Sequence, residues 1–159
     1  PGLYRWPPHA NILYPFFDIL APELSNDNMM ERDDIINEKL ISLQSAIQKC
    51  KAFRVSIDSL GTFGGNNRGV LYLVPHSYRD QSSCSQQNNL QFDEQPLLQL
   101  QSLLQNSFPE CNDQRKNGKY TPHITLAHFP SLESALEAKE IIEKWWTIIE
   151  FEVNEVYLL

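Results

Sequence analysis

His9 and His123 are the residues of this chain best suited to do chemistry. Each follows a proline, and each is followed two positions later by a short hydrogen-bonding side chain, Asn11 in one case and Thr125 in the other. The two segments read Pro8-His9-Ala10-Asn11-Ile12-Leu13-Tyr14-Pro15-Phe16 and Pro122-His123-Ile124-Thr125-Leu126-Ala127-His128-Phe129. On a strand, residues two apart share a face. Each segment would therefore aim an imidazole and a polar group the same way, with Ile12 and Tyr14, or Ile124 and Leu126, packing behind. Burying two imidazoles unpaired in a core is costly, so the polar faces should line a cleft. Facing one another, they would set an acid–base pair around a gap holding two hydrogen-bonding groups, an arrangement suited to reaction at a phosphate.

Other uses of these residues fit less well. There is no H-E-x-x-H, no H-x-H and no carboxylate at ligand spacing beside either histidine, which argues against a metal site. Gly118-Lys119 lacks the upstream glycine of a phosphate-binding loop. No G-x-S-x-G marks a serine nucleophile, and neither Cys50 nor Cys84 carries the signature of a catalytic thiol. His128 has the opposite strand parity to His123 and is expected to point away from the site. His76, at a strand end, is expected on the surface.

The bulk numbers narrow the class. A formal net charge of −7 disfavours broad binding to duplex nucleic acid, which needs a basic face, but leaves room for a small nucleotide or an RNA end in a local site. Arg5 and the group Arg115, Lys116 and Lys119 read first as solvated surface charge. Lys119 and Tyr120, close to the second motif, are candidate substrate contacts, since aromatic rings stack on bases. No apolar run approaches a membrane span, and no signal peptide is evident. The three cysteines, widely spaced and odd in number, suit a reduced intracellular protein. The chain starts at Pro1 rather than Met, so it reads as a domain excised from something longer.

The elements that would position the histidines follow from periodicity. Residues 9–16 read as a strand and 17–28 as a loop. Residues 30–51 read as a helix with Ile35, Ile36, Leu40, Leu43 and Ile47 near helical spacing. Residues 53–58 alternate as a half-buried strand, and 70–74 form its hairpin partner across a turn-rich 61–69. Residues 77–91, rich in Ser, Gln and Asn, read as a mobile loop. Asp93 and Pro96 open a helix to about Asn106, 108–121 form a loop and 122–129 a strand. Ser131 caps a helix reaching Trp145, and 150–159 close as a strand. Both halves thus run strand, helix, aromatic-led strand, which predicts a duplicated fold.

The paired motifs, with their flanking prolines and apolar positions, resemble the H-x-[ST]-x motifs of the two-histidine phosphoesterase superfamily, which includes the 2′-5′ RNA ligase-like proteins and RNA cyclic phosphodiesterases. The resemblance covers nearly the whole chain. It implies an α+β fold of two lobes across residues 1–159, with antiparallel sheets lining a central cleft and helices outside. It also implies metal-independent hydrolysis of a 2′,3′-cyclic phosphate or a 2′-5′ linkage, with His9 and His123 catalytic and no cofactor. Asn11 stands where the family pattern has Thr or Ser, and its amide keeps a donor for a phosphate oxygen. Few residues precede His9, where family members usually have a further strand.

In that chemistry one neutral imidazole takes a proton from water and the other, protonated, gives one to the leaving ribose oxygen. The unperturbed pKa of histidine, about 6.5, suits both roles. Asn11 and Thr125 would hold the non-bridging oxygens. The expected partner is an RNA end or small nucleotide, and the expected state a monomer. A binding module that holds a nucleotide without turning it over, and a purely structural interaction domain, are the alternatives.

Overall fold

The computed structural model describes residues 8–15, 29–79, 95–115 and 118–158. The expected loop at 17–28, residues 80–91 of the loop expected at 77–91, the Asp93 cap, and Arg5 and Lys116 lie outside these, whereas Ser77 and Tyr78, expected to begin that loop, are the last residues of a strand that pairs with the one before it. The described residues form three α-helices and one curled, four-stranded antiparallel sheet of mixed α/β character. They divide into a helical unit, residues 12–51 and 97–120, and a sheet unit, residues 1–11, 52–96 and 121–159. No helix among the described residues is long and apolar enough to cross a membrane.

In the helical unit, α1 spans Met29–Ile47 and α2 spans Pro96–Ser107. α1 stops short of the expected 51 because its carbonyls turn to i→i+3 bonds, Lys49 N–H to Ala46 O and Cys50 N–H to Ile47 O, which tighten and end the last turn. Pro96 occupies the first position of α2, where its missing N–H costs nothing. Leu97, Leu100 and Leu104 form the buried stripe of α2 at helical spacing, and Phe108, Cys111 and Tyr120 are buried after it. A short 3₁₀ turn covers Asp113–Arg115. Lys39 Nζ lies 2.9 Å from Glu110 Oε1 on the surface of this unit.

The sheet unit carries strands in the order β3-β2-β1-β4, where β1 is Phe53–Gly65, β2 Arg68–Tyr78, β3 Ile124–Phe129 and β4 Ile149–Val153. The hairpin is longer than alternation suggests. Gly61 to Gly65, read as a turn, continues the ladder to the last rung at Gly65 and Arg68, and only Asn66 and Asn67 make the turn. Gly61 is tolerated because the Tyr72 ring lies directly over its Cα, where a Cβ would collide with it. A bulge at Asp58, between the Ile57–Pro75 and Ser59–Val74 rungs, shifts parity along β1. Phe53, Val55 and Ile57 before it and Leu60 after it therefore all reach the buried face, opposite Leu71 and Leu73.

α3, Leu132–Glu143, packs on β1, β2 and β3. Ser131 caps it as expected, with the Ser134 N–H donating to Ser131 Oγ at 3.2 Å. The Trp146 indole N–H donates to Ile57 O at 3.1 Å, tying the connection after α3 to the β1 bulge. β4 ends at Val153 rather than running to the terminus.

The first motif departs from expectation. Residues 8–15 form no strand, and only Tyr14 makes an isolated bridge, to Asn112, with the Asp113 N–H donating to Tyr14 O at 2.9 Å. A strand exists only with a ladder partner, and residues 9–13 pair with none among those described. The described strands thus make one sheet, not the two expected.

Candidate active site

One face of the sheet is packed on α3. The other carries, rung by rung, Phe63 opposite Val70, Gly61 opposite Tyr72, and on the neighbouring strand His128 opposite Val70 and Thr125 opposite Tyr72. A cavity of about 330 Å³ opens on this face. Phe63, Gly64, Arg68 and Val70 line it from the hairpin, and His123, Thr125 and His128 line it from the β3 segment.

His123 and Thr125 share this face, as strand parity predicts. His123 sits just before β3, and its Nδ1 lies 2.8 Å from Thr121 O. A carbonyl oxygen can only accept, so Nδ1 carries the proton and, in the neutral ring, Nε2 holds the lone pair. The ring is fixed from its sides as well. Phe63 and Tyr72 stack with centroids 4.1 Å apart and an interplanar angle of 20°. The imidazole meets both edge-on, at 5.2 Å and 90° to Phe63 and at 5.6 Å and 72° to Tyr72. Burial pushes the Tyr72 phenol above its ordinary pKa.

His128 overturns its expected orientation. The β2–β3 ladder passes from Leu71–Ala127 directly to Tyr72–Thr125, so Leu126 is an extra residue in β3. A bulge flips the side-chain alternation beyond it. His128 therefore joins Thr125 and His123 in the cavity rather than pointing behind the sheet. The sequence holds no mark of this bulge. Arg68 and Phe63 were also missed, because the glycine-rich stretch around them reads as a turn, whereas the paired ladder turns both toward the site.

Among the described residues no carboxylate lines the cavity, a local contrast with the chain's net charge of −7. Among the described residues no three or more His, Cys, Asp or Glu side chains gather where they could hold a metal ion. His76, exposed as expected, places Nε2 3.3 Å from Asp58 Oδ1 and 3.4 Å from Ser59 Oγ. Both partners meet the same nitrogen, so this is not a relay for a serine nucleophile.

His9, half-buried, and Asn11, exposed, belong to the sheet unit but are not among the residues lining this cavity. Lys119 is exposed in the helical unit. Tyr120 belongs to that unit too and is only 3% exposed, and burial drives its phenol well above the ordinary pKa. A ring so enclosed has no open face to offer a base.

Sheet and helices make a mixed α/β protein whose cavity is lined by Arg68, His123, Thr125 and His128 together with apolar residues. The whole chain, residues 1–159, matches the family model described as the 2′-5′ RNA ligase superfamily. The chain belongs to that superfamily, which is the two-histidine phosphoesterase superfamily. No curated protein and no solved structure matches it significantly.

Proposed function

We propose that this chain is a metal-independent phosphodiesterase that opens a 2′,3′-cyclic phosphate, or hydrolyses a 2′-5′ linkage, in RNA or a nucleotide. The observation that carries the reading is the His123 imidazole, its Nδ1–H held by Thr121 O, standing with Thr125 in a cavity whose described lining residues include no carboxylate. Such a wall suits a phosphate, and the superfamily supplies the reaction class. His9 and His123 act as the acid–base pair. A water oxygen bonds to phosphorus while its proton passes to the neutral imidazole, and the bond from phosphorus to the ribose oxygen breaks as the imidazolium protonates that oxygen. Asn11 and Thr125 hold the non-bridging oxygens as charge builds, and Lys119 assists the substrate's approach. Tyr120, enclosed as it is, supports the segment rather than stacking.

The two-lobed, duplicated cleft that brings the first motif to face the second belongs to this proposal, as do a monomeric state, an intracellular setting and a part in RNA processing. The test is turnover of adenosine 2′,3′-cyclic phosphate and of 2′-5′ linked diadenosine in chelator, with products identified by mass. Activity that survives chelation and vanishes in His9→Ala and in His123→Ala supports it. Full activity in either variant overturns it.

Asn11 in place of a hydroxyl residue favours a second reading, a module that binds the same ligand without turning it over. Tight binding of AMP by calorimetry with no product under any condition selects that reading.

A further inference from the structure

We infer that Arg68 recognises a second phosphate, so that this chain distinguishes RNA ends bearing a further phosphate from those that lack it. The inference rests on the phosphodiesterase reading for the reacting group but draws on a different part of the cavity.

The register sets the layout. Thr125 stands at the Tyr72 rung, His128 at the Val70 rung, and Arg68 two residues further along β2, at the last rung before the turn. Tyr72 to Arg68 is about 13 Å of strand, and all three side chains line one cavity. Arg68 thus enters from the end opposite His123 and Thr125. The hairpin holds it there. Gly64, at φ +141°, pairs with Gly69, and a Cβ at Gly64 would strike the Arg68 carbonyl. Only glycine suits that backbone.

The chemistry points the same way. Among the described residues Arg68 forms no ion pair, and no carboxylate lines the cavity. In a chain of net charge −7, an arginine that the register puts on the cavity face, among described lining residues that include no carboxylate, is matched to an anion from outside. Its planar fork suits the paired oxygens of a phosphate. In a nucleotide ending in a 2′,3′-cyclic phosphate, the only further phosphate lies on the 5′ side. The second ligand is therefore a 5′-phosphate, monoester or backbone diester.

The experiment compares adenosine 2′,3′-cyclic phosphate with its 5′-phosphorylated form, which differ by that phosphate alone. The readout is the ratio of their kcat/KM values. Wild type is expected to favour the 5′-phosphorylated form about tenfold, Arg68→Lys to keep part of that preference and Arg68→Ala to bring the ratio to about one. A wild-type ratio of one overturns the inference, as does a preference that persists in Arg68→Ala, including the case where both substrates slow equally. Should neither compound turn over, the phosphodiesterase reading fails while this one is still decided by calorimetry. Adenosine 3′,5′-bisphosphate should then bind wild type about tenfold tighter than adenosine 3′-monophosphate, with the difference lost in Arg68→Ala. Equal affinities in wild type, or a difference that persists in the variant, overturn it.

Discussion

Replacing Tyr72 tests whether the aromatic pair is what holds His123 in place. Tyr72→Leu removes the ring that stacks on Phe63 at 4.1 Å and meets the imidazole at 5.6 Å. Each such contact is worth roughly 0.5–1.5 kcal/mol beyond area. Losing two should destabilise the fold by about 1–3 kcal/mol, or about 2–12 °C in Tm for a chain of this size. Tyr72→Phe keeps both ring contacts. It removes only a hydroxyl that forms no hydrogen bond among the described residues and whose burial already raises its pKa, so its Tm should stay close to wild type. Activity should separate the two variants further. An imidazole released by about 1 Å costs on the order of 10²-fold, and in Tyr72→Leu the loss should fall on kcat, because the Nδ1 bond to Thr121 O and the edge contact of a Phe63 ring without its stacking partner are what still restrain the ring. The assays are thermal unfolding by circular dichroism and steady-state turnover of adenosine 2′,3′-cyclic phosphate. If Tyr72→Leu matches Tyr72→Phe in both Tm and kcat, the aromatic pair does not position His123 and the reasoning is refuted.

Other outcomes follow from the same geometry. His9→Ala and His123→Ala should each lower kcat by on the order of 10²–10⁴-fold with unchanged circular dichroism, and a rate loss below tenfold in either removes that residue from the acid–base pair. Thr125→Val, which keeps the shape and deletes the hydroxyl, should cost roughly 10²-fold in kcat, read by the same turnover assay. The Tyr120 phenol is held neutral by burial, so the stability it contributes is complete below its ordinary pKa of 10 and is lost as pH rises beyond that. In an alkaline titration followed by tyrosinate absorbance, one tyrosine should ionise only with unfolding, and Tyr120→Phe should remove that step. A backbone hydrogen bond and Lys39 hold the Glu110 carboxyl below its ordinary range. The stability from this is present above that range and lost as pH falls through the lowered value. The group is exposed, so Glu110→Gln should shift the acid-unfolding midpoint only slightly, and a large shift would contradict the exposed geometry.

Local patterns in the sequence were enough for several parts of this protein. Ser131 as a helix cap, Pro96 at a helix start and the end of α2 near Asn106 depend on neighbours in the chain, and each stands where local propensity puts it. The pairing of His123 with Thr125 follows from strand parity alone, and the two motifs point to the superfamily. Tertiary pairing decided the rest. Gly61 to Gly65 became strand because β2 offered a ladder and Tyr72 filled the space over Gly61, which composition cannot foresee. Residues 9–13 did not become a strand because none of the described residues pairs with them. His128 entered the cavity through one extra residue at Leu126, and Arg68 through the register of the hairpin. Periodicity fixes which residues share a face of an element, whereas bulges and register fix which elements share a face of the molecule, and these are set only when strands meet.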